Sequence, residues 1–160
     1  MSTEFLTRTP PYVWGILALL LFLGIRRLKP RRIPLRVAAA APIGFLAWSL
    51  FTLVSLTSQG DPIPVLGTGA LGLLAGVASA RIRTVPRPEP LPGGVFAFAG
   101  TAVPLIVYMG VFIAKYALQV WSALVPSAAW TAALIGLALT ATVTGRTAAD
   151  FLALLKIRRA

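Results

Sequence analysis

The 160-residue chain contains no cysteine and no histidine, and only four acidic side chains. Without cysteine there is no disulfide, thiolate nucleophile, iron–sulfur cluster or thiolate zinc site. Without histidine the commonest haem ligand, transition-metal ligand and neutral-pH proton shuttle are missing. Glu4, Asp61, Glu89 and Asp150 leave little material for a divalent-metal site or an acid–base pair. An enzyme is therefore not expected, nor a bound cofactor. Charge is scarce altogether, with 12% of residues charged against 58% apolar, whereas soluble domains are about a quarter charged and under half apolar. A water-soluble globule is excluded. Uncharged runs of eighteen residues or more indicate an integral membrane protein.

Five apolar spans can be read along the chain. The first covers 11–25 (PYVWGILALLLFLGI), about 22 Å as a helix, with Pro10 and Pro11 suited to a helix start and Tyr12 and Trp14 to an interface. Its flanking charges follow the apolar run, and Glu4 precedes it, so it reads as a retained span and not as a removable signal peptide. The others are expected at about 37–56, 63–80, 94–114 with Pro104 near the middle, and 122–145. TVPRPEPLPGG at 84–94, with a proline at every second position from Pro86 to Pro92, reads as an extended connector within a linker over 81–93. The tail, 146–160, is basic and either continues the last helix or lies along the membrane surface. Trp14, Trp48, Trp121 and Trp130 read as interfacial anchors. The expected fold is a single all-α domain, a polytopic bundle of five transmembrane helices.

The net charge of +11 is distributed unevenly. Arg26, Arg27, Lys29, Arg31, Arg32 and Arg36 follow the first span; Arg81, Arg83 and Arg87 follow the third; Arg146, Lys156, Arg158 and Arg159 end the chain. Only Arg8 and Lys115 fall on the other side. The positive-inside rule then puts the N-terminus outside and the C-terminus in the cytoplasm. Clusters between apolar spans point to anionic lipid headgroups or an acidic partner surface, with Arg26, Arg27, Lys29, Arg31, Arg32 and Arg36 as the expected contacts, and not to nucleic acid.

Small residues at three- or four-residue spacing mark expected helix-packing positions: Gly69, Gly72 and Gly76 in the third span, Ala132 and Gly136 in the fifth. They serve either the chain's own bundle or a homodimer. Lys115 is the one basic residue with apolar sequence on both sides. Read at the outer end of the fourth span, it either snorkels to the outer headgroups or lines an outward-facing pocket with Asp61, Tyr108 and Gln119. No acidic residue lies within a span, which leaves carboxylate-driven proton coupling without a carrier.

The run TPPYVWGILALLLFLGIRRLKPRRIPLRVAAAAP resembles the opening of a family of short, uncharacterised bacterial inner-membrane proteins, through Thr9, Pro10, Val13, Trp14, Gly24, Arg26, Lys29, Pro30, Arg31, Arg36 and Pro42. More distantly, the linker and the stretch GALGLLAG are similar to CcdC-like proteins, a family whose name links it to cytochrome c biogenesis. Tyr12 departs from the Trp usual at that position. The resemblance implies a multi-pass protein of the bacterial inner membrane and carries over no catalytic residues. The expected role is non-enzymatic, a structural or accessory component packing with itself or a larger membrane complex. The alternative is a small-solute transporter or channel-like protein with its pocket near Lys115.

Overall fold

The structure, a computed structural model, describes residues 11–82, 86 and 88–159. Glu4, Arg8, Thr9, Pro10, Arg83 and Arg87 lie outside them, as do the side chains of Tyr12, Val13 and Arg159. The chain is mostly helical: α1 (Pro11–Arg26), the one-turn α2 (Leu35–Ala38), α3 (Ala40–Thr57), α4 (Pro62–Ser79), α5 (Val103–Leu124) and α6 (Ala129–Arg159). Four stretches are long and apolar enough to cross a membrane: Leu35–Thr57, Pro62–Ser79, Val103–Leu124 and Pro126–Arg158. The 16 residues of α1 reach about 24 Å.

Prolines mark the helix starts, where the missing N–H is one of the donors left without an intrahelical partner. Asp61 caps α4 by accepting a hydrogen bond from the Ile63 N–H at 2.9 Å, with Pro62 at the first helical position. Pro104 lies in the first turn of α5. This differs from the expected span over 94–114, in which Pro104 falls mid-helix and kinks it. The helix instead starts at Val103, where the ring blocks no intrahelical bond, and continues to Leu124. The last helix runs on through the expected tail to Arg159, after a single 3-10 turn at Pro126–Ala128.

The tightest packing joins α4 and α6, which run parallel. Gly72 lies against the Ala138 backbone, Gly76 against Thr142, and Gly145 of α6 against the Leu73 carbonyl. Without side chains at these points the two backbones approach directly, which is how helices associate where lipid removes the hydrophobic drive. Toward one end, Leu56, Val65 and Leu137 form an apolar cluster flanked by Leu53, Trp130, Ala133 and Leu134. Further along, α3 is fastened to α6 by buried hydroxyls. Ser49 Oγ lies 2.7 Å from Thr144 Oγ1, which also bonds the carbonyls of Thr140 (2.9 Å) and Phe45 (3.1 Å). Thr144 has a single proton, so whenever it serves one of those carbonyls Ser49 donates between the two hydroxyls. α5 packs on α6, and α1 packs on α5.

The described residues also hold a three-stranded antiparallel sheet, an addition to the all-α expectation. β1 (Arg31–Pro34), β2 (Glu89–Leu91) and β3 (Val95–Phe98) are ordered β1-β3-β2. Proline cannot donate to a ladder. Pro34 and Pro90 accordingly sit in the two edge strands, and central β3 (VFAF) has none. Gly93 and Gly94, at φ 78° and 72°, turn β2 into β3. The connector over 84–94 thus ends in a hairpin.

Candidate functional site at the basic end of the bundle

The sheet joins two loops that the sequence separates by more than fifty residues. Arg31 pairs with Phe98, Arg32 with Ala97, Ile33 with Phe96 and Pro34 with Val95. Glu89, Pro90 and Leu91 pair with Ala97, Phe96 and Val95 from the other side. Residues opposite one another share a face. One face therefore carries Arg31, Ile33, Pro90, Phe96 and Phe98, with Phe96 1% exposed. The other carries Arg32, Pro34, Glu89, Leu91, Val95 and Ala97.

The sheet is also tied to the ends of α1 and α5. The Thr101 N–H donates to the Arg27 carbonyl at 3.1 Å, and the Leu35 N–H donates to the Gly94 carbonyl at 3.1 Å. Gly100 lies against the Leu28 backbone, and Gly24 against Leu105. The Arg27 guanidinium sits 5.2 Å from the centre of the Tyr108 ring, and that of Arg31 sits 6.0 Å from Phe98. Burial lowers the pKa of Arg31 below the ordinary guanidinium value, and neighbouring Arg27 adds to that effect. The other expected headgroup contacts, Arg26, Lys29, Arg32 and Arg36, are exposed.

Beside the outer sheet face is a groove of about 610 Å³. It is lined by Arg32 and Pro34 of β1, Leu35 and Arg36 of α2, Gly93 and Gly94 of the hairpin turn, Val95 of β3 and Arg158 of α6. Three guanidinium-bearing residues from three elements thus meet around one concavity, and among the described residues no carboxylate lines it.

Of the four residues expected around an outward pocket, Tyr108, Lys115 and Gln119 follow one another on α5 at spacings of seven and four, on one side of that helix, while Asp61 stands at the start of α4. Tyr108 stands under Arg27 near the start of α5. Lys115 lies near the middle of the 22-residue α5, not at its end, with no ion-pair partner among the described residues. Gln119 is one turn further on and exposed, and Asp61 is occupied at the α4 N-cap. Of the expected packing positions, Gly69, Gly72, Gly76 and Ala132 are buried within the chain. Gly136 has open space where a side chain would begin, so its place in the α4–α6 contact is taken by Gly145. Trp130 packs into the apolar cluster, and exposed Trp48 lies halfway along Leu35–Thr57 instead of near an end.

No family model matches the chain, and neither a curated protein nor a solved structure does.

Sequence reasoning missed the sheet and with it the groove. The signal was LPGGV, a Gly-Gly pair between short apolar runs, which reads as a hairpin as readily as a linker. Nothing in the sequence puts Arg158 beside Arg36, because that contact depends on how far α6 extends.

Proposed function

We propose that the chain is a non-enzymatic, multi-pass protein of the bacterial inner membrane, crossing the bilayer five times with its N-terminus outside and its C-terminus in the cytoplasm. In this reading it is a structural or accessory component that packs with itself or with a larger membrane complex. The supporting observation is the one-sidedness of its basic residues. The sheet binds the loop after α1 to the loop before α5, and the end of α6 reaches the same groove, so Arg26 to Arg36 and Arg158 gather at one end of the bundle. That end faces the anionic headgroups of the cytoplasmic leaflet. α1, which starts opposite and ends beside the sheet, serves as the fifth span, its short apolar stretch extended by the stems of Arg26 and Arg27. Outward-facing Phe51, Leu71, Ile106 and Ile113 offer apolar helix surface to lipid or to partner helices. The resemblance of the opening run to short bacterial inner-membrane proteins belongs to the same reading.

Native mass spectrometry after gentle extraction from the native membrane tests the role. A protein partner at fixed stoichiometry, or a homodimer, is the expected result. A bare monomer that retains a small solute would replace this reading with the transporter. Reporter fusions at the two termini test the orientation, and a periplasmic C-terminus would overturn it.

A further inference from the structure

The groove between β1, α2, the hairpin turn and the end of α6 has a composition that general surface charge does not explain. Arg32, Arg36 and Arg158 come from three separate elements and converge on one concavity. Glu89 is the only acidic residue of the sheet, on the same face as Arg32 but across Ala97, two strand spacings or about 10 Å away, and it does not line the groove. Guanidinium groups offer planar, paired N–H donors that fit the oxygens of a phosphate. Pro34, Leu35 and Val95 supply an apolar wall beside them. Leu35 is also the first residue of the stretch Leu35–Thr57 that is long and apolar enough to cross the membrane. The concavity therefore opens where that stretch leaves the bilayer. Its volume of about 610 Å³ falls within the range of roughly 300–1,000 Å³ for small-molecule sites, and so accommodates more than a bare phosphate.

We propose that this groove is a binding site for the phosphate of an anionic phospholipid headgroup drawn from the adjoining leaflet, held by Arg32, Arg36 and Arg158. The proposal rests on the reading of this end as the cytoplasmic membrane surface. It narrows that reading from a diffuse attraction, shared by all the basic residues, to one site of defined stoichiometry. Acyl chains of the bound lipid run down beside the start of the membrane-crossing stretch while the headgroup fills the groove.

The test uses the full chain in a neutral detergent, titrated with phosphatidylglycerol or phosphatidylcholine and followed by native mass spectrometry. Both lipids carry a phosphate, but the quaternary ammonium of phosphatidylcholine is repelled by the arginines. One phosphatidylglycerol should be retained more tightly than any other lipid. Arg36→Gln/Arg158→Gln should weaken that first binding about tenfold or more, as expected for loss of charge-assisted hydrogen bonds. Arg81→Gln/Lys156→Gln removes the same charge from outside the groove and should change it by less than about twofold. Equal losses in the two variants would reduce the effect to overall charge and overturn the site. Inorganic phosphate that binds as tightly alone and displaces the lipid would assign the groove to a soluble anion and overturn the lipid. Because binding is read in detergent, it is independent of orientation. A failed groove with a cytoplasmic C-terminal reporter removes only this proposal, whereas a periplasmic reporter removes the parent reading.

Discussion

Replacing Gly76 by alanine tests whether the α4–α6 contact is the structural axis of the bundle. A methyl built on Gly76 meets the Thr142 carbonyl oxygen, with the Arg146 nitrogen at 2.8 Å and the Thr142 carbonyl carbon at 2.9 Å. These are backbone atoms of a continuous helix and cannot swing aside as a side chain does, so the two helices must separate. Overpacking of this kind costs about 1–3 kcal/mol. The same substitution at an open helical position gains up to about 1 kcal/mol, because alanine loses less backbone entropy than glycine. Gly67 of α4, Gly110 of α5 and Gly136 of α6 have nothing within 4 Å of the added carbon and serve as controls. The sign of the effect should therefore change with position: Gly76→Ala and Gly145→Ala destabilise, and Gly67→Ala, Gly110→Ala and Gly136→Ala are neutral or stabilising. Gly69→Ala should fall between them, because its nearest neighbour is the Leu53 side-chain methyl at 3.2 Å, which can rotate. Reversible unfolding in mixed micelles with a denaturing detergent, followed by the fluorescence of the four tryptophans, of which Trp130 packs in the apolar cluster between α3, α4 and α6, measures the series. A Gly76→Ala protein as stable as Gly67→Ala would refute the close approach of α4 and α6, and with it the claim that these glycines are used within the chain and not between chains.

Three further outcomes follow from the same geometry. Ser49→Ala and Thr144→Val should each cost about 0.6 kcal/mol, and at most about 1.7, the measured range for hydroxyl bonds between membrane helices. A double-mutant cycle by the same unfolding assay should show most of that energy as coupling between the two residues, and additive losses would break the pairing. Phe96→Ala, at a side chain 1% exposed, should cost about 3–5 kcal/mol; hydrogen exchange should rise first at 31–34 and 89–98, and uniform protection there would mean that the sheet does not depend on this ring. Lys115→Met removes a charge near the middle of α5, where scales for membrane insertion penalise lysine by about 2.5–3.5 kcal/mol. The isolated protein should gain stability on this substitution in thermal unfolding in neutral lipid, and a loss would mean that Lys115 is paired within the chain.

The helices were legible because hydropathy over long windows is insensitive to detail: runs without charge at 37–60 and 116–145 read as spans whatever their neighbours do. The boundaries were not, and the reason differs from place to place. Val95 to Phe98 is as apolar as a span and was absorbed into the fourth one, although its partner strand, Arg31–Pro34, belongs to a loop defined in the sequence by its charge. Charge sets that loop apart from the spans and at the same time hides the alternation in Arg31–Arg32–Ile33–Pro34, with Ile33 turned toward the Phe96 face and Arg32 toward the groove. The displaced boundary moved Pro104 from the middle of a helix to its first turn, and Lys115 from an end toward the middle. A single unread hairpin thus moved Lys115 away from the end of its span and raised the groove at the basic end. Functional weight shifts accordingly from one isolated lysine to three arginines whose convergence is a property of the fold.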